Sequence, residues 1–326
     1  MEAHVQRLVD KTWEKFSDCD LSQRLLIAVA GIPGSGKTTL AASVARGLNK
    51  AYRQSRHAQF PNSPESDTSW PDIAIVVPLD GFHLTRRQLS AMPNAEEAIF
   101  RRGAAFTFDA DGYLDLVARV RRPITPETPT VYAPSFDHAV KDPVADDVAI
   151  PPTARIVLFE GLYTALDADA WRDAHRLMDD VWFVDADIET ATQRVAARNF
   201  AAGITDTFEK SLERTEASDM RNAREILEKR LPANEVVPSV EDEAWARSKE
   251  LVRVDGQLQG VDVVVDDDDD QLRGQVQNNN NNNSGHGDGN HEADADDDES
   301  VSEEFRQQRM MRMDSIAALA ADGVGM

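Results

Sequence analysis

The sequence feature that most constrains this 326-residue chain is an apolar run followed directly by a glycine-rich loop. Residues 25–30 are Leu-Leu-Ile-Ala-Val-Ala, which is typical of a strand buried on both faces. The loop from Gly31 to Thr38 has a glycine, four residues, then Gly-Lys-Thr. This is the spacing of a phosphate-binding loop, and a helical pattern begins where the motif requires one. The stretch therefore predicts an α/β fold with a parallel sheet.

Each part of this loop has a physical role in holding a polyphosphate. Glycines let several backbone N–H groups converge on one point, where a Cβ would clash. Lys37 adds a mobile positive charge, and the Thr38 hydroxyl is a suitable ligand for Mg²⁺. The helix that begins near Lys37 directs its positive dipole end at the nucleotide. We predict that the nucleotide contacts the whole loop, namely Gly31, Ile32, Pro33, Gly34, Ser35, Gly36, Lys37, Thr38 and Thr39.

Charge is unevenly distributed along the chain. The formal net charge is −23, and residues 232–326 alone contain 23 Asp and Glu against 7 Lys and Arg. Asp and Asn runs in this region lack the apolar residues that a core needs. We predict a nucleotide-binding domain over residues 1–245 with an exposed insertion at 53–70. Residues 246–326 are predicted to be a mostly disordered acidic tail, with one segment of helical propensity at 302–321.

Composition also limits the partners and the compartment. An acidic chain is a poor partner for nucleic acid, because phosphate backbones favour positive surfaces. No apolar run approaches the length of a membrane span. Cys19 is the only cysteine, so an intrachain disulfide is impossible, and the N-terminus has no apolar signal core. We expect a cytoplasmic protein with no nucleic-acid or membrane partner, and a homodimer is compatible with the sequence.

Two further apolar strands are predicted, and a carboxylate follows or ends each of them. Asp80 and Gly81 follow the strand at 73–77, and Glu160 ends the strand at 155–160. Ligands of such sheets bind at the carboxyl ends of the strands. Asp80 is therefore placed for substrate chemistry, although a turn aspartate that stabilises Gly81 is the alternative. Glu160 is placed near the metal ion and its waters, although a carboxylate at a strand end can also be a simple cap.

Two pairs of arginines are candidates for anion contacts. Arg101 and Arg102 precede a glycine-containing loop, which suits an anion site but equally suits an exposed basic helix end. Arg194 and Arg198 lie one turn apart on one face of a helix predicted at 188–200. They form either surface ion pairs or a lid that brings guanidinium groups onto the transferring phosphoryl group.

Other elements are predicted from periodicity alone. Asp137 and His138 follow a short edge strand predicted within 130–138, and the pair either orients a substrate hydroxyl or caps a turn. A closing strand is predicted at 235–240. Helices are predicted at 2–16, 39–48, 85–91, 94–101, 109–122 and 205–230, the last with a break near 219–222.

The order of these motifs resembles the phosphoribulokinase/uridine kinase family of P-loop small-molecule kinases, over about residues 20–240. That family includes pantothenate and nicotinamide riboside kinases, and the closest similarity is to a branch found in fungi and bacteria. The resemblance implies the P-loop NTPase fold, with helices on both faces of a parallel sheet and a helical lid. It is carried by the phosphate loop, Asp80-Gly81-Phe82-His83, Arg101 to Asp109, Tyr132 to His138, Glu160-Gly161-Leu162-Tyr163 and the helix from Arg194 to Phe200.

The resemblance also implies roles for the matched residues. Asp80 matches the base that accepts the proton of the acceptor hydroxyl, and it is also expected at the metal site. Glu160 matches the acidic residue near Mg²⁺. Arg194 and Arg198 match lid arginines that act in catalysis together with the loop lysine, and Asn222 matches a nucleotide-base contact. The remaining matched positions shape the acceptor pocket: His83, Arg101, Arg102, Tyr132, Asp137, His138 and Tyr163.

An activity follows from the same resemblance. It implies transfer of the γ-phosphoryl group of ATP, with Mg²⁺, to a hydroxyl of a nucleoside, riboside, pantothenate-like or sugar-like acceptor. Uridine kinases have serine, phenylalanine and tyrosine where this chain has Gly81-Phe82-His83, which argues against uridine itself. The alternative is a nucleotide-binding or hydrolysing switch, or a non-catalytic scaffold. The GTPase form is disfavoured, because the sequence has no Asn-Lys-x-Asp guanine motif.

Overall fold

A computed structural model of the chain describes residues 1–59 and 70–240 in full, and the backbone alone of residues 251–254 and 257–260. The second half of the predicted insertion and the helix predicted at 302–321 lie outside the described residues, as do the Asp and Asn runs. No helix in the described ranges is long and apolar enough to cross a lipid bilayer.

Strands and helices alternate along most of the described chain. The strands are β1 (Leu25–Gly31), β2 (Ala74–Pro78), β3 (Val131–Asp137), β4 (Asp142–Ile150), β5 (Ile156–Glu160), β6 (Asp180–Asp185), β7 (Glu235–Pro238), β8 (Leu251–Val254) and β9 (Gln257–Gly260). The helices are α1 (Glu2–Ser17), α2 (Lys37–Gln59), α3 (Arg86–Ser90), α4 (Ala95–Phe100), α5 (Ala110–Arg121), α6 (Asp169–His175), α7 (Ile188–Ala201), α8 (Phe208–Ala217) and α9 (Asp219–Lys229). Two 3₁₀ turns lie at Leu79–Phe82 and Ala105–Thr107.

A parallel five-stranded sheet in the order β2-β5-β1-β6-β7 forms the centre of the fold. Every residue of β1 is buried, as expected for a central strand covered on both faces. The register places Val29 of β1 and Pro78 of β2 level with Glu160 of β5. The segments that leave these three strands therefore emerge side by side at one edge of the sheet.

Alternate side chains of β1 enter the cores on the two faces of the sheet, because successive strand residues point in opposite directions. Leu26, Ala28 and Ala30 join a cluster with buried residues of α5, α6 and α7. Leu25, Ile27 and Val29 join a second cluster with α1 and α2. The prediction of helices on both faces of a parallel sheet is confirmed.

Several predicted elements agree with the structure and a few boundaries differ. The short helices α3 and α4, the helices α1, α5 and α7 and the closing strand β7 all lie where periodicity placed them. Helix α2 continues to Gln59, so the first part of the segment predicted as an insertion is helical. The break between α8 and α9 lies at Ser218, one residue before the predicted position.

The short edge strand predicted within 130–138 is present as β3. Strand β3 pairs with β4 in a separate antiparallel hairpin and does not join the main sheet. Strand β4 and helix α6 were not predicted. Most of β4 is exposed and it contains three aspartates, so it lacks the apolar alternation that identifies a strand. A further antiparallel ladder joins β8 and β9, within the segment assigned to the tail.

Candidate active site

The phosphate loop connects β1 to α2 and has a bent, open backbone. Gly34 and Gly36 have φ angles of +78° and +92°, in the left-handed region that favours glycine. A Cβ on Gly34 would lie 2.7 Å from the carbonyl oxygen of Ala191 in α7, so this position is also crowded. A Cβ on Gly36 would have no atom within 4 Å. The loop is thus braced against α7 on one side and open on the other.

A hydroxyl, an ammonium and a carboxylate meet at the start of α2. The Thr38 Oγ1 donates a hydrogen bond of 3.1 Å to Oε1 of Glu160, and Lys37 Nζ lies 3.9 Å from the same oxygen. Glu160 is only 6% exposed at the end of β5. The hard oxygen atoms of Thr38 and Glu160 are ligands that Mg²⁺ prefers. Among the described residues, no group of three or more His, Cys, Asp or Glu could form a metal cage.

Asp80 lies in the 3₁₀ turn that follows β2. It is two residues after Pro78, which pairs with Glu160 in the sheet. Its side chain is 52% exposed, and it accepts no hydrogen bond from the described residues. The turn itself is closed by backbone groups, since the N–H of His83 donates to the carbonyl oxygen of Asp80 at 3.2 Å. The carboxylate is therefore not used to stabilise the turn, in contrast to the structural alternative. Its role as a metal ligand stays a prediction.

His83 is enclosed beside Asp80 by two aromatic rings. Its ring centroid lies 4.0 Å from that of Phe108 and 5.0 Å from that of Phe136. Nδ1 lies 2.8 Å from the carbonyl oxygen of Asp80 and 4.0 Å from its carboxylate. Burial lowers the pKa of His83, and the neighbouring Asp80 carboxylate opposes this shift. Phe136 was not predicted as a site residue, although its place beside the Asp137-His138 pair was the available signal.

The hairpin of β3 and β4 packs directly on the turn that carries Asp80. A Cβ on Gly81 would lie 2.0 Å from the carbonyl oxygen of Pro134, so only glycine permits this approach. Arg102 Nη2 donates to the Asp142 carboxylate and to the carbonyl oxygen of Leu84, each at 2.8 Å. Arg102 thus connects the hairpin to the segment after the turn.

Arg102 and Asp137 were predicted to contact the acceptor, and the structure uses both to hold the hairpin. Asp137 Oδ1 accepts hydrogen bonds from the N–H groups of Ala139 and Val140, at 2.7 and 2.9 Å. These bonds hold the pKa of Asp137 below its usual value. Of the two alternatives for Asp137, turn capping is the one observed.

Arg101 and Asn222 are brought together although they are far apart in the sequence. Arg101 Nη2 donates a 2.6 Å hydrogen bond to Oδ1 of Asn222 on α9. The two residues are 7% and 2% exposed. Asn222 was predicted to contact the nucleotide base, but the structure places its side-chain oxygen on Arg101.

Tyr163 supports the loop that begins with Arg101. Its side chain is fully buried and its hydroxyl donates to the carbonyl oxygen of Gly103 at 2.7 Å. The ring packs edge-on against Phe108, with centroids 5.4 Å apart. Burial raises the pKa of Tyr163 well above its ordinary value. The structure thus uses the Tyr163 hydroxyl to hold the loop at Gly103, and its contribution to acceptor binding stays a prediction.

Tyr132 and His138 lie away from the buried part of the site. Tyr132 lines a surface cavity of about 380 Å³ with Arg119 and Arg122, near the end of α5. That end of α5 is opposite to the helix start, which adjoins the Asp80 turn, and the contact of Tyr132 with the acceptor stays a prediction. His138 is exposed at the hairpin turn, with its ring centroid 5.3 Å from that of Phe136.

The two arginines predicted as lid residues have different neighbours. Arg194 Nη1 lies 3.3 Å from the carbonyl oxygen of Gly34 and 2.8 Å from Ser239 Oγ. Arg194 therefore contacts the phosphate loop directly. Arg198 is exposed one turn further along α7, near Asp219 of α9. Burial raises the pKa of Asp219, and the Arg198 guanidinium opposes this shift.

Comparisons with known proteins identify kinases among the relatives of this chain. No family model matches the sequence. The ATP-dependent kinase-like protein notR′ of Aspergillus versicolor is 49% identical over 160 residues, which cover 49% of this chain and 93% of that protein. A putative uridine kinase of Schizosaccharomyces pombe is 38% identical over 215 residues, covering 66% of this chain and 83% of that protein.

A solved structure shares the fold. YFH7 of Saccharomyces cerevisiae, a putative P-loop containing kinase with a circular permutation, matches with a TM-score of 0.63 and 23% identity. The match covers 73% of this chain and 99% of that one. The fold and the phosphate loop define an ATP-dependent phosphotransferase of the P-loop class. Within that class, the chain belongs to the phosphoribulokinase/uridine kinase family.

Proposed function

We propose that this kinase transfers the γ-phosphoryl group of ATP to a hydroxyl group of a small-molecule acceptor. The observation that carries the proposal is the Asp80 carboxylate. It is half exposed and accepts no hydrogen bond from the described residues, and it follows a strand end level with Glu160. A carboxylate in this position suits a group that must accept a proton from a bound substrate.

The donor half consists of the phosphate loop and the residues at its end. Backbone N–H groups around Gly36 and the Lys37 ammonium would bind the phosphates of ATP. Thr38 and Glu160 would hold Mg²⁺, because their oxygens are adjacent and chemically suited to it. When bound, Mg²⁺ supplies positive charge that neutralises the phosphate oxygens. Arg194 would add charge on the side of the loop where it contacts Gly34.

The acceptor half consists of the turn after β2 and the elements packed on it. The acceptor oxygen forms a bond to the γ-phosphorus while the bond from that phosphorus to the leaving ADP oxygen breaks. Asp80 accepts the proton of the hydroxyl. His83, enclosed by two aromatic rings, holds the Asp80 carbonyl and thus the turn. Such positioning supplies much of the acceleration in phosphoryl transfer.

The test is release of ADP in the presence of ATP, Mg²⁺ and a panel of nucleosides, ribosides, pantothenate and sugar acids. Asp80→Asn should lower acceptor-dependent turnover by about 10³-fold, the range of a lost general base, with little change in ATP affinity. Asp72→Asn is the matched control, because Asp72 precedes β2 and pairs with Arg53 on the surface. It should retain wild-type turnover. ATP hydrolysis that no acceptor stimulates would instead support a switch or scaffold.

A further inference from the structure

We infer that the acceptor carries an anionic group, a carboxylate or a phosphate, which Arg101 binds while the acceptor hydroxyl faces Asp80. This inference rests on the proposed function. It concerns the class of acceptor, which the phosphate loop and Asp80 leave open. A carboxylate and a phosphate share the feature that matters here, which is two or more oxygen atoms that carry negative charge.

The Arg101 guanidinium is buried without a counter-ion among the described residues. It is 7% exposed and makes a single side-chain hydrogen bond, to Asn222. Its Nε is buried and has no hydrogen-bond partner in the described chain. A buried cation is costly unless an anion and further hydrogen bonds compensate it. A substrate anion would supply both.

Another buried arginine shows that the fold can satisfy a guanidinium without any ligand. Arg24 is 1% exposed, and its three nitrogens donate to the carbonyl oxygens of Ala154, Val120 and Pro151. Each of the three Arg24 nitrogens therefore has a hydrogen-bond acceptor within the fold. Arg101 has one such acceptor, so most of its donors are left for another group.

The position of Arg101 connects it to the acceptor half. Arg101 begins the loop 101–109, whose last residue donates a hydrogen bond of 2.7 Å from Asp109 N to the carbonyl oxygen of Phe82. Phe82 ends the turn that carries Asp80. The loop and the catalytic turn are thus joined by backbone, and one small acceptor could contact both.

Asn222 orients the guanidinium and leaves its charge intact. Its amide oxygen accepts a hydrogen bond but is neutral, whereas an aspartate in the same place would neutralise Arg101. A guanidinium that remains charged and has free parallel donors is suited to bidentate binding of carboxylate or phosphate. Asn222→Asp is therefore a nearly isosteric way to remove the anion site by supplying an internal anion.

The first experiment measures anion binding without turnover. Protein saturated with Mg²⁺ and β,γ-imido-ATP, which occupies the phosphate loop, is titrated calorimetrically with orthophosphate and, separately, with malonate. At least one probe should bind the wild type, and Asn222→Asp and Arg101→Gln should weaken binding by about tenfold or more, the value of a charged hydrogen bond. Arg119→Gln removes an exposed arginine of an ordinary surface pair with Asp115 and should bind like the wild type. Equal binding by all variants, or no binding of either probe, would overturn the inference.

The second experiment uses turnover to identify the anionic group. Acceptors of similar size are compared: gluconate, ribose 5-phosphate and the neutral polyol ribitol. An anionic acceptor should exceed ribitol in kcat/KM by about tenfold or more, and Asn222→Asp should raise KM for it with little change in kcat. Whichever of gluconate and ribose 5-phosphate has the higher kcat/KM shows whether the site prefers a carboxylate or a phosphate.

The outcomes separate this inference from the proposed function. Neutral acceptors that match the anionic ones in the wild type and in Asn222→Asp would overturn the inference and leave the kinase proposal intact. Anion binding that depends on Arg101, without turnover of any acceptor, would contradict the proposed function and leave the anion site. Thermal unfolding checks each variant, and the near-isosteric Asn222→Asp keeps the test decisive if Arg101→Gln does not fold.

Discussion

The two ends of the central sheet differ in how far the hydrogen bonds of their polar side chains are used within the protein. At the amino end, Arg24 precedes β1 and Arg155 precedes β5, and backbone carbonyls accept hydrogen bonds from both guanidinium groups. At the carboxyl end, Asp80 has no hydrogen-bond donor and Arg101 has one acceptor among the described residues. One end uses its hydrogen bonds to hold the chain, whereas the other leaves them available for ligands.

This contrast has an energetic meaning. Burial lowers the pKa of Arg24 to about 10, yet its three carbonyl partners maintain the guanidinium in place. A polar group whose hydrogen-bond partners lie within the fold contributes to stability. Removing it should lower the free energy of unfolding. A group satisfied by a substrate contributes to binding or turnover, and removing it leaves the free protein nearly as stable. Substitutions at the two ends of the sheet should therefore differ in whether they lower stability or turnover.

The largest effect is expected for Arg24→Met. Three buried carbonyl oxygens would lose their donor, and each unsatisfied group costs about 1–3 kcal/mol, so we expect a loss of about 4 kcal/mol in the free energy of unfolding. Urea denaturation followed by circular dichroism measures the loss. Turnover per folded molecule should not change. A variant as stable as the wild type would contradict the structural role of the amino end.

Lys37→Ala should lower turnover more than it lowers stability. Removing the ammonium that faces the phosphates should raise the barrier to transfer by about 3 kcal/mol, as for loss of one electrostatic contact to the transition state. Lys37 is only 12% exposed and lies 3.9 Å from the buried Glu160 carboxylate, so the free energy of unfolding should also fall, although by less than for Arg24→Met. Steady-state ADP release and urea denaturation are compared on the same preparation. Full turnover would exclude the loop from catalysis.

Gly81→Ala tests the contact between the β3-β4 hairpin and the turn that carries Asp80. The new Cβ would overlap the Pro134 carbonyl oxygen, and overpacking of this kind costs about 2 kcal/mol. Because the turn carries Asp80, turnover should fall together with stability. Gly203→Ala is the control for a glycine substitution, since a Cβ there meets no atom within 4 Å, although its φ of +68° adds some strain. Unchanged turnover in Gly81→Ala would show that the hairpin does not position the site.

Tyr163→Phe removes one hydrogen bond that holds the loop 101–109. The Gly103 carbonyl would lose its donor, at a cost of about 1 kcal/mol in the free energy of unfolding. A modest rise in KM for the acceptor should accompany it, because the loop would be less well fixed. A large fall in kcat would instead indicate that the Tyr163 hydroxyl contacts the reacting groups.

The smallest effect concerns ion pairs at the amino end of β7. Hydrogen bonds from Lys11 and Arg7 hold the pKa of Glu235 below its usual value. A carboxyl whose pKa is lowered in the folded state stabilises the protein above its unfolded pKa, near 4.5, and this contribution is lost as pH falls below that value. Glu235→Gln should remove about 0.5 kcal/mol at pH 7, typical of a partly exposed pair. Urea midpoints of the two proteins should converge at low pH, and a constant difference would contradict the assignment.

The sequence predicted the elements whose signals are local and regular. The β1 run, the phosphate loop and the start of α2 follow one another along the chain, and Asp80 and Glu160 were identified because each lies where an apolar strand ends. Strand β4 was missed because charged, exposed residues interrupt any alternation. Helix α2 was predicted too short, since its second half is polar.

The sequence by itself determined the class of fold, the phosphate loop and the two carboxylates that follow or end β2 and β5, because each depends on residues adjacent in the chain. Only the tertiary structure decided which polar side chains hold the fold and which are left for ligands. Arg102 and Asp137 proved to hold the hairpin, and Tyr163 proved to hold the loop at Gly103. Arg101 meets Asn222 across 121 positions of sequence, and no local pattern predicts such a contact. The physical reason is that the partners of a buried polar group are chosen by the packing of distant segments.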